Sequence, residues 1–243
     1  MKDQYAGDVG DFSKFGLLRN LQSEFPTEKI GIVWYLTPDE TGGRALKDGG
    51  FIRYLGLEQC DPELYDKLQK IPGGTRRVSE FRRSGLLDHI FDYGDVLDTS
   101  TVKPKARRQA REEWFRGALE AMADCSQVFL DPDNGIASSR VTLTQVESDK
   151  FALPGELREF RSRGKTVICY QHATRVPFDQ LLREKTAQFP GAFAIRWHRI
   201  QTRAYIVWPS EGNQRRLEEW ARKLVNNNLW KSHFTLGPSS TSW

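Results

Sequence analysis

Cysteine, histidine and methionine are all scarce in this chain, and their scarcity limits the kinds of site it can build. The 243 residues include 3 cysteines, 4 histidines and 2 methionines. Cys60, Cys125 and Cys169 are far apart and lie in or near apolar runs, and no CxxC spacing is present. We therefore expect neither a disulfide framework nor a zinc site, and reduced thiols fit an intracellular protein.

Long apolar runs are also missing. No segment approaches the roughly 20 apolar residues of a membrane-spanning helix, and residues 1–5 carry no apolar signal segment. We therefore expect a cytoplasmic protein without a membrane partner. With 38% hydrophobic residues, a chain of this length can bury a full core without metal or disulfide, which favours a single domain over residues 1–243.

The positive charge is modest in total but unevenly distributed. The formal net charge is +4 and the pI is about 8.9. The basic residues form two groups, namely Arg76, Arg77, Arg82 and Arg83, and Lys103, Lys105, Arg107, Arg108 and Arg111. Such groups suit a phosphate backbone, because binding gains from counterion release, and they predict a nucleic-acid partner. The alternative is a solvated helix face, since two glutamates follow the second group directly.

Hydrophobic periodicity predicts an alternation of helices and strands. A first helix begins with Asp11 as its N-cap and ends before Pro26, and a buried strand follows at residues 30–36. Further on, the pattern predicts helices at residues 104–124, 154–163, 176–188 and 210–225, and strands at residues 126–130, 166–170, 193–198 and 204–208. This order predicts an α/β fold with a Rossmann-like, mostly parallel sheet.

Three parts of the chain depart from that alternation. Residues 44–104 have an irregular pattern, and we predict that they form an inserted subdomain. Only a short turn separates the strands at residues 193–198 and 204–208, which leaves no room for a helical crossover, so they should pair antiparallel at one edge. The serine-rich tail at residues 236–243 should be loosely ordered.

An apolar strand at residues 126–130 runs directly into the turn Asp131-Pro132-Asp133-Asn134-Gly135. In an open α/β sheet, ligands bind at the carboxyl ends of the strands. The strand should therefore deliver two carboxylates and a carboxamide to an active-site edge. The alternative is an Asx-type turn, in which Pro132 and Gly135 set the backbone and the carboxylates only cap nearby amides.

Several short segments together carry a resemblance to a known family. They are Tyr5-Ala6-Gly7-Asp8 with Asp11 and Lys14, then Gly42-Gly43-Arg44 after the first strand, and Leu130-Asp131-Pro132. With them the chain resembles the RlmJ-type ribosomal RNA adenine methyltransferases. That resemblance implies a Rossmann-like, methyltransferase-like fold with S-adenosylmethionine beside the first strand and a flipped base beside the Asp-Pro motif. The chain also resembles a group of prokaryotic proteins with a DPDNG element, here residues 131–135, and a YQH element, here residues 170–172.

Two departures from the methyltransferase pattern change the expected chemistry. Where that family has a glycine-rich turn after its first strand, this chain places Asp39 and Glu40 before its glycines. A carboxylate pair at that position repels the carboxylate of the methyl donor. The family follows Asp-Pro with a proline and a stacking aromatic residue, whereas this chain has Asp133 and Asn134. Acids therefore stand in place of both the cofactor loop and the stacking ring.

Polar side chains from distant segments are expected to meet at the carboxyl edge of the sheet. The predicted catalytic residues are Asp8, Asp131, Asp133 and His172. The predicted base-binding residues are Asn134, Tyr170, Gln171 and Asp39. The predicted phosphate-binding residues are Lys14 and Arg175 near this edge, and Arg107 and Arg108 in the second basic group. Clustered carboxylates raise one another's pKa, so that one of them can take a proton from water. The alternative for each residue is a helix cap, a turn or a surface charge.

Four hypotheses about function follow. The first is hydrolysis of the base–sugar bond of an extruded DNA base, without a cofactor, with Asp131 or Asp8 activating water or stabilising a cationic sugar. Confined to modified or damaged bases, it would serve repair or defence against foreign DNA. The second is adenine methyl transfer from S-adenosylmethionine, and the third is a Mg²⁺-dependent nuclease. The fourth is a protein that only binds nucleic acid, DNA rather than RNA, through its basic groups.

Overall fold

The computed structural model describes residues 1–39, 50–88, 91–199 and 202–238. In these ranges seven strands form one mixed sheet. The strands are β1 (Ile30–Trp34), β2 (Phe91–Tyr93), β3 (Gln127–Asp131), β4 (Thr166–His172), β5 (Phe193–Trp197), β6 (Arg203–Trp208) and β7 (Phe234–Leu236). Their order across the sheet is β2-β1-β3-β4-β6-β5-β7.

The sheet is parallel in the centre and antiparallel at one edge. β1 pairs in parallel with β2 and with β3, and β3 pairs in parallel with β4. β6 lies antiparallel between β4 and β5, and β7 continues the antiparallel edge beside β5. The α/β class and the antiparallel pairing of the two late strands, both predicted from the sequence, are confirmed.

Helices cover both faces of the sheet. The α-helices of the described ranges are α1 (Val9–Glu24), α2 (Pro62–Leu68), α3 (Ser79–Arg83), α4 (Arg107–Ala121), α5 (Pro154–Ser162), α6 (Phe178–Thr186) and α7 (Gln214–Asn226). α1, α2, α3 and α7 share one apolar core with the sheet, and α4, α5 and α6 share the other. Every residue of β1 and of β3 is buried, as expected for strands covered on both faces. None of these helices is both long and apolar enough to cross a membrane.

The first helix begins earlier than the sequence predicts. Asp8, and not Asp11, is its N-cap, because the Asp8 carboxylate accepts hydrogen bonds from the amides of Gly10 and Asp11. Asp11 lies in the first turn, where its Oδ2 accepts from the Gly7 amide at 2.8 Å. The prediction placed the helix start directly before the apolar run that opens with Phe12, whereas the turn before that run is already helical.

The described part of residues 44–104 does not form a core of its own. Tyr54, Leu64 and Phe81 belong to the same apolar core as α1, and β2 joins the central sheet. The predicted inserted subdomain is therefore corrected to a region that packs into the main body, and its residues 44–49 and 89–90 lie outside the described ranges. The predicted loose tail is corrected in part, since Leu236 belongs to β7, while residues 239–243 lie outside the description.

A buried ion pair fixes the long segment between β3 and α5. The Arg111 guanidinium, on α4, is 2.8 Å from Glu156 Oε1 and also donates to the carbonyls of Ser148 and Phe151. Glu156 accepts in addition from the Tyr35 hydroxyl at 2.9 Å. Arg111 is 2% exposed, so its charge is compensated almost wholly by these partners. The network ties α4 and α5 to the loop that follows the Asp131 turn.

Replacing Arg111 with Ala should lower the free energy of unfolding by about 3 kcal/mol, because Glu156 is left buried without its cation. Urea unfolding of both proteins measures the difference. The matched control is Arg108→Ala on the exposed side of the same helix, which should change stability by less than about 0.5 kcal/mol. Equal effects of the two substitutions would contradict a structural role for the pair.

Candidate functional site

A polar cavity of about 280 Å³ opens at the carboxyl edge of the sheet. Its walls come from the N-terminal segment, the start of α1, the turn after β3, the end of β4 and the start of β6. Four carboxylates line it, from Asp8, Asp11, Asp131 and Asp133. Side-chain cations also number four, from Lys2, Lys14, Lys150 and Arg203. The cavity therefore combines acids and bases at close range where α/β folds bind ligands.

Lys14 lies between two buried carboxylates. Its Nζ is 2.7 Å from Asp11 Oδ1 and 2.7 Å from Asp131 Oδ2, and all three side chains are at least 95% buried. The ammonium also lies 5.0 Å from the centre of the Trp34 ring, a cation–π distance. The sequence predicted Lys14 as a phosphate ligand, and the structure corrects this, because its charge is taken up by the two carboxylates.

The pKa values of this group follow from its burial. Burial raises the pKa of Asp131 and that of Asp11 above the usual range, while the Lys14 ammonium opposes the rise. Burial alone would lower the pKa of Lys14, but the two carboxylates outweigh it and raise that pKa. Lys14 therefore stays charged, and one ammonium serves two acids. With a raised pKa, each of these carboxyl groups holds a proton more readily than an exposed aspartate does.

The Asp131 turn is held from both sides. Asp133 Oδ1 is 2.6 Å from the α-amine of Met1, which also donates to the Tyr35 carbonyl at 2.8 Å. The backbone amide of Asn134 donates to the Lys150 carbonyl at 2.9 Å. This bond holds Lys150, which also lines the cavity, beside the turn. Asp131, Asp133 and Asn134, all predicted from the sequence, line the cavity together.

Gln171 supports the turn from below and does not line the cavity. Its Oε1 accepts from the Ile136 amide at 3.0 Å, and its Nε2 donates to the carbonyls of Asn134 and His172. Gly135 has a φ of +89°, and a Cβ there would lie 2.6 Å from the Gln171 amide, so glycine is required on two grounds. The predicted base-binding role of Gln171 is therefore corrected, because its side-chain amide is hydrogen-bonded to the backbone of the turn.

Tyr170 and His172 face the cavity from β4. Their side chains meet at 2.9 Å, from the Tyr170 hydroxyl to His172 Nδ1. Burial raises the pKa of Tyr170 to about 12, so its hydroxyl keeps its proton at neutral pH and can donate to Nδ1. A neutral His172 in that arrangement carries its proton on Nε2. Tyr170 thus orients the imidazole, and the Nε2–H of His172 is a hydrogen-bond donor at the exposed end of the cavity.

Arg203 is the main residue that sequence reasoning missed. It begins β6, opposite His172 in the antiparallel pair, and is 5% exposed. Its guanidinium lies 5.8 Å from the Tyr170 ring centre and against Gly10, where a Cβ would be 1.8 Å from Nη1. In the sequence, Arg203 is visible only as an arginine directly before the apolar run at residues 204–208. Its position at the cavity depends on the pairing of β6 with β4, which are distant in sequence. Lys2, Tyr5 and Lys150 were missed for the same reason.

Besides Gln171, four predicted site residues lie outside the cavity lining. Asp39 is exposed, and its Oδ1 accepts from the Gln4 amide at 3.1 Å. Arg175 is exposed in the loop after β4, and Arg108 is exposed on α4. Arg107 donates to the carbonyls of Thr99 and Thr144, so it links two loops. None of the four lines the cavity, so the predicted base-binding role of Asp39 there is corrected, while phosphate binding by the three arginines stays a prediction. Glu40 and the glycines at 42 and 43 lie outside the described residues.

The donor set of the cavity does not fit a divalent cation. The Lys14 ammonium occupies the position between Asp11 and Asp131 that a cation would take. Within the described ranges, no group of three or more Asp, Glu, His or Cys side chains is arranged to hold a metal ion. We therefore derive no step through a metal.

The chain was compared with models of known protein families and with curated proteins, and neither comparison gave a match. The function therefore has to be inferred from the cavity itself.

Replacing Lys14 with Met should lower the free energy of unfolding by about 3 kcal/mol at about pH 7, because it leaves two buried carboxylates without their cation. In the folded variant these carboxyl groups are protonated, because their pKa is higher in the folded state than in the unfolded state. The stability loss should therefore shrink as the pH falls to about 5, where protonation is less costly. Urea titrations at both pH values measure this.

Two variants control the Lys14 result. Lys105→Met removes an exposed lysine and should have little effect at either pH. Asp131→Asn in the Lys14→Met background should recover part of the stability, since one orphaned acid is gone. A loss that is independent of pH would contradict the proposed charge sharing.

Proposed function

We propose that this protein hydrolyses the bond between a base and its sugar in DNA, acting on a modified or damaged base turned out of the duplex. One observation supports this proposal. Asp131, which is paired with Lys14, lines the same small cavity as the hydrogen-bonded pair Tyr170 and His172. A carboxylate that can accept a proton and an imidazole that can donate a hydrogen bond thus line the same space. A glycosidic bond inside a duplex becomes accessible when its nucleotide is extruded.

The size of the cavity supports a single-nucleotide substrate. At about 280 Å³ it lies at the lower limit of pockets for one drug-sized ligand, roughly 300–1,000 Å³. A methyltransferase has to hold the methyl donor and the target base together. A hydrolase needs space only for one nucleotide and a water molecule.

The roles of the residues follow from their positions. Asp131 takes a proton from water as the water oxygen attacks C1′ of the sugar, and the C1′–N bond breaks. The electron pair of that bond goes to the base nitrogen. The Nε2–H of neutral His172 donates a hydrogen bond to the departing base, which then takes its proton from solvent. The positive charge that develops on the sugar is stabilised by the carboxylates of Asp131 and Asp133. Asn134, at the cavity wall, presents both a donor and an acceptor to the edge of the base.

S-adenosylmethionine-dependent methyl transfer is the second candidate. The strand order, with a parallel centre and an antiparallel edge, supports a Rossmann-like arrangement. Asp131-Pro132 follows a central strand, as in the resembled methyltransferases. Against it, Met1 occupies the space beside the end of β1, where the resemblance puts the methyl donor. Its α-amine donates to the Tyr35 carbonyl, and its own carbonyl accepts from the Thr37 amide. Calorimetry with S-adenosylmethionine separates the two candidates.

Incubation with plain DNA and with DNA containing uracil, 5-hydroxymethyluracil or 8-oxoguanine should release free base and leave abasic sites from at least one modified substrate. Separate assays for abasic sites, strand breaks and methyl incorporation distinguish hydrolase, nuclease and methyltransferase. EDTA should leave the activity intact, whereas a nuclease that depends on Mg²⁺ would lose it. Strand breaks or methyl incorporation without abasic sites would overturn the proposal.

Asp131→Asn should lower base release by at least about 100-fold, because a carboxamide cannot take the proton from water. Asp124→Asn, an exposed aspartate before the start of β3, is the matched control and should retain full activity. A protein that only binds DNA would show the same DNA affinity in both variants and no base release in the parent. Retained base release in Asp131→Asn would show that this carboxylate is not the proton acceptor.

The pH dependence of base release should reflect the burial of Asp131. A proton acceptor must be ionised, so kcat/KM should fall as the pH falls through the Asp131 pKa. Because burial raises that pKa, the fall should begin at a higher pH than for an exposed aspartate. A pH profile of kcat/KM measures it. A rate that stays constant down to the ordinary aspartate range would argue against Asp131.

A further inference from the structure

A cluster of exposed apolar side chains lies next to the candidate site. Phe51, Ile52 and Leu55 are 55%, 43% and 68% exposed, and we call these three residues the apolar patch. The other large hydrophobic residues exposed in the described ranges, Val96, Val176 and Leu229, are scattered along the chain. Single exposed apolar residues are ordinary, whereas a group of them marks an interaction surface.

The apolar patch is held firmly by the residues between and beside its members. Tyr54 is buried, and its hydroxyl donates to the Gly7 carbonyl at 2.5 Å. The Leu55 carbonyl accepts from the Arg199 guanidinium at 2.7 Å. The backbone of the patch is therefore fixed before binding, so binding loses little conformational entropy there.

The anchoring contacts place the apolar patch beside the cavity. The Phe51 carbonyl accepts from the Val9 amide at 2.7 Å, and Tyr54 is bonded to Gly7. Gly7 and Val9 are the two neighbours of Asp8, which lines the cavity. If a macromolecule places one of its groups in the cavity, its neighbouring groups would therefore contact the apolar patch.

The charges around the apolar patch favour a polyanion as the partner. Arg53 lies within the patch and is exposed, and Arg199 lines the same shallow depression as Phe51 and Leu55. Guanidinium groups bind phosphate oxygens with good geometry. Arg53 and Arg199 can contact only a few phosphates, so contact with bases would supply part of the affinity at this surface.

We propose that the apolar patch is a wedge for double-stranded DNA: Phe51 and Leu55 enter the base stack where the target base has left it, and Arg53 and Arg199 bind the flanking phosphates. Apolar side chains inserted between base steps are a known means of opening a duplex, and they replace the stacking that the extruded base loses. The inference rests on the proposed function, since it assumes that the cavity takes an extruded base.

A duplex containing 2-aminopurine tests the wedge, because this base fluoresces when it leaves the stack. The parent protein should raise the fluorescence on binding. The double variant Phe51→Ala with Leu55→Ala should abolish that rise and weaken duplex binding by about tenfold, while binding of the same single strand changes by less than about twofold. Leu229→Ala, a leucine of similar exposure away from the patch, is the matched control and should behave as the parent.

Several outcomes would overturn the wedge. They are an equal loss of single-strand and duplex binding, no loss of either, a parent protein that binds no duplex, or tighter binding to vesicles of phosphatidylserine and phosphatidylcholine than to duplex. Failure of the hydrolase proposal gives a different result. In that case the 2-aminopurine signal still depends on the apolar patch, but no modified duplex yields abasic sites. Asp131→Asn should raise the fluorescence as the parent does, which separates base extrusion from hydrolysis.

Discussion

One ammonium group shared by two buried carboxylates holds the candidate site together. Lys14 joins Asp11, in the first turn of α1, to Asp131, at the end of β3. Neither acid could remain ionised at its depth without this cation, because burial of an unpaired carboxylate costs several kcal/mol. The same contact fixes the start of α1 against the sheet, since Asp11 also accepts from the Gly7 amide. The proposed role of Asp131 and the placement of α1 therefore depend on one charge.

The near balance of charges within the cavity has a consequence for substrate binding. Four acidic and four basic side chains line it, so the cavity has no strong positive field with which to attract a phosphate backbone. Contact with a duplex has to come from outside it, where the apolar patch and its two arginines lie beside Asp8. Under the proposed function, recognition and chemistry are divided between neighbouring surfaces that share the anchoring residues Gly7 and Val9.

Local patterns predicted much of the fold and the centre of the site. The alternation of helix and strand signals and the short turn between β5 and β6 were sufficient for the sheet class, and the Asp131 turn was visible as polar residues after an apolar run. Partners that depend on distant segments were not predictable. Arg203 reaches the cavity only because β6 pairs antiparallel with β4, and Lys14 binds carboxylates because α1 packs against the end of β3. Gln171 looked like a site residue because it lies between two that line the cavity.

The two neighbours Tyr170 and Gln171 show how much depends on the register of β4. Successive side chains of a strand point to opposite faces, so Tyr170 reaches the cavity while Gln171 holds the backbone of the Gly135 turn. A slip of β4 by a single residue would exchange the two faces. Such a slip would remove both the contact of the Tyr170 hydroxyl with His172 and the contact of the Gln171 amide with the turn. Insertions or deletions should therefore be better tolerated in the exposed loop after β4 than at any point between α5 and His172.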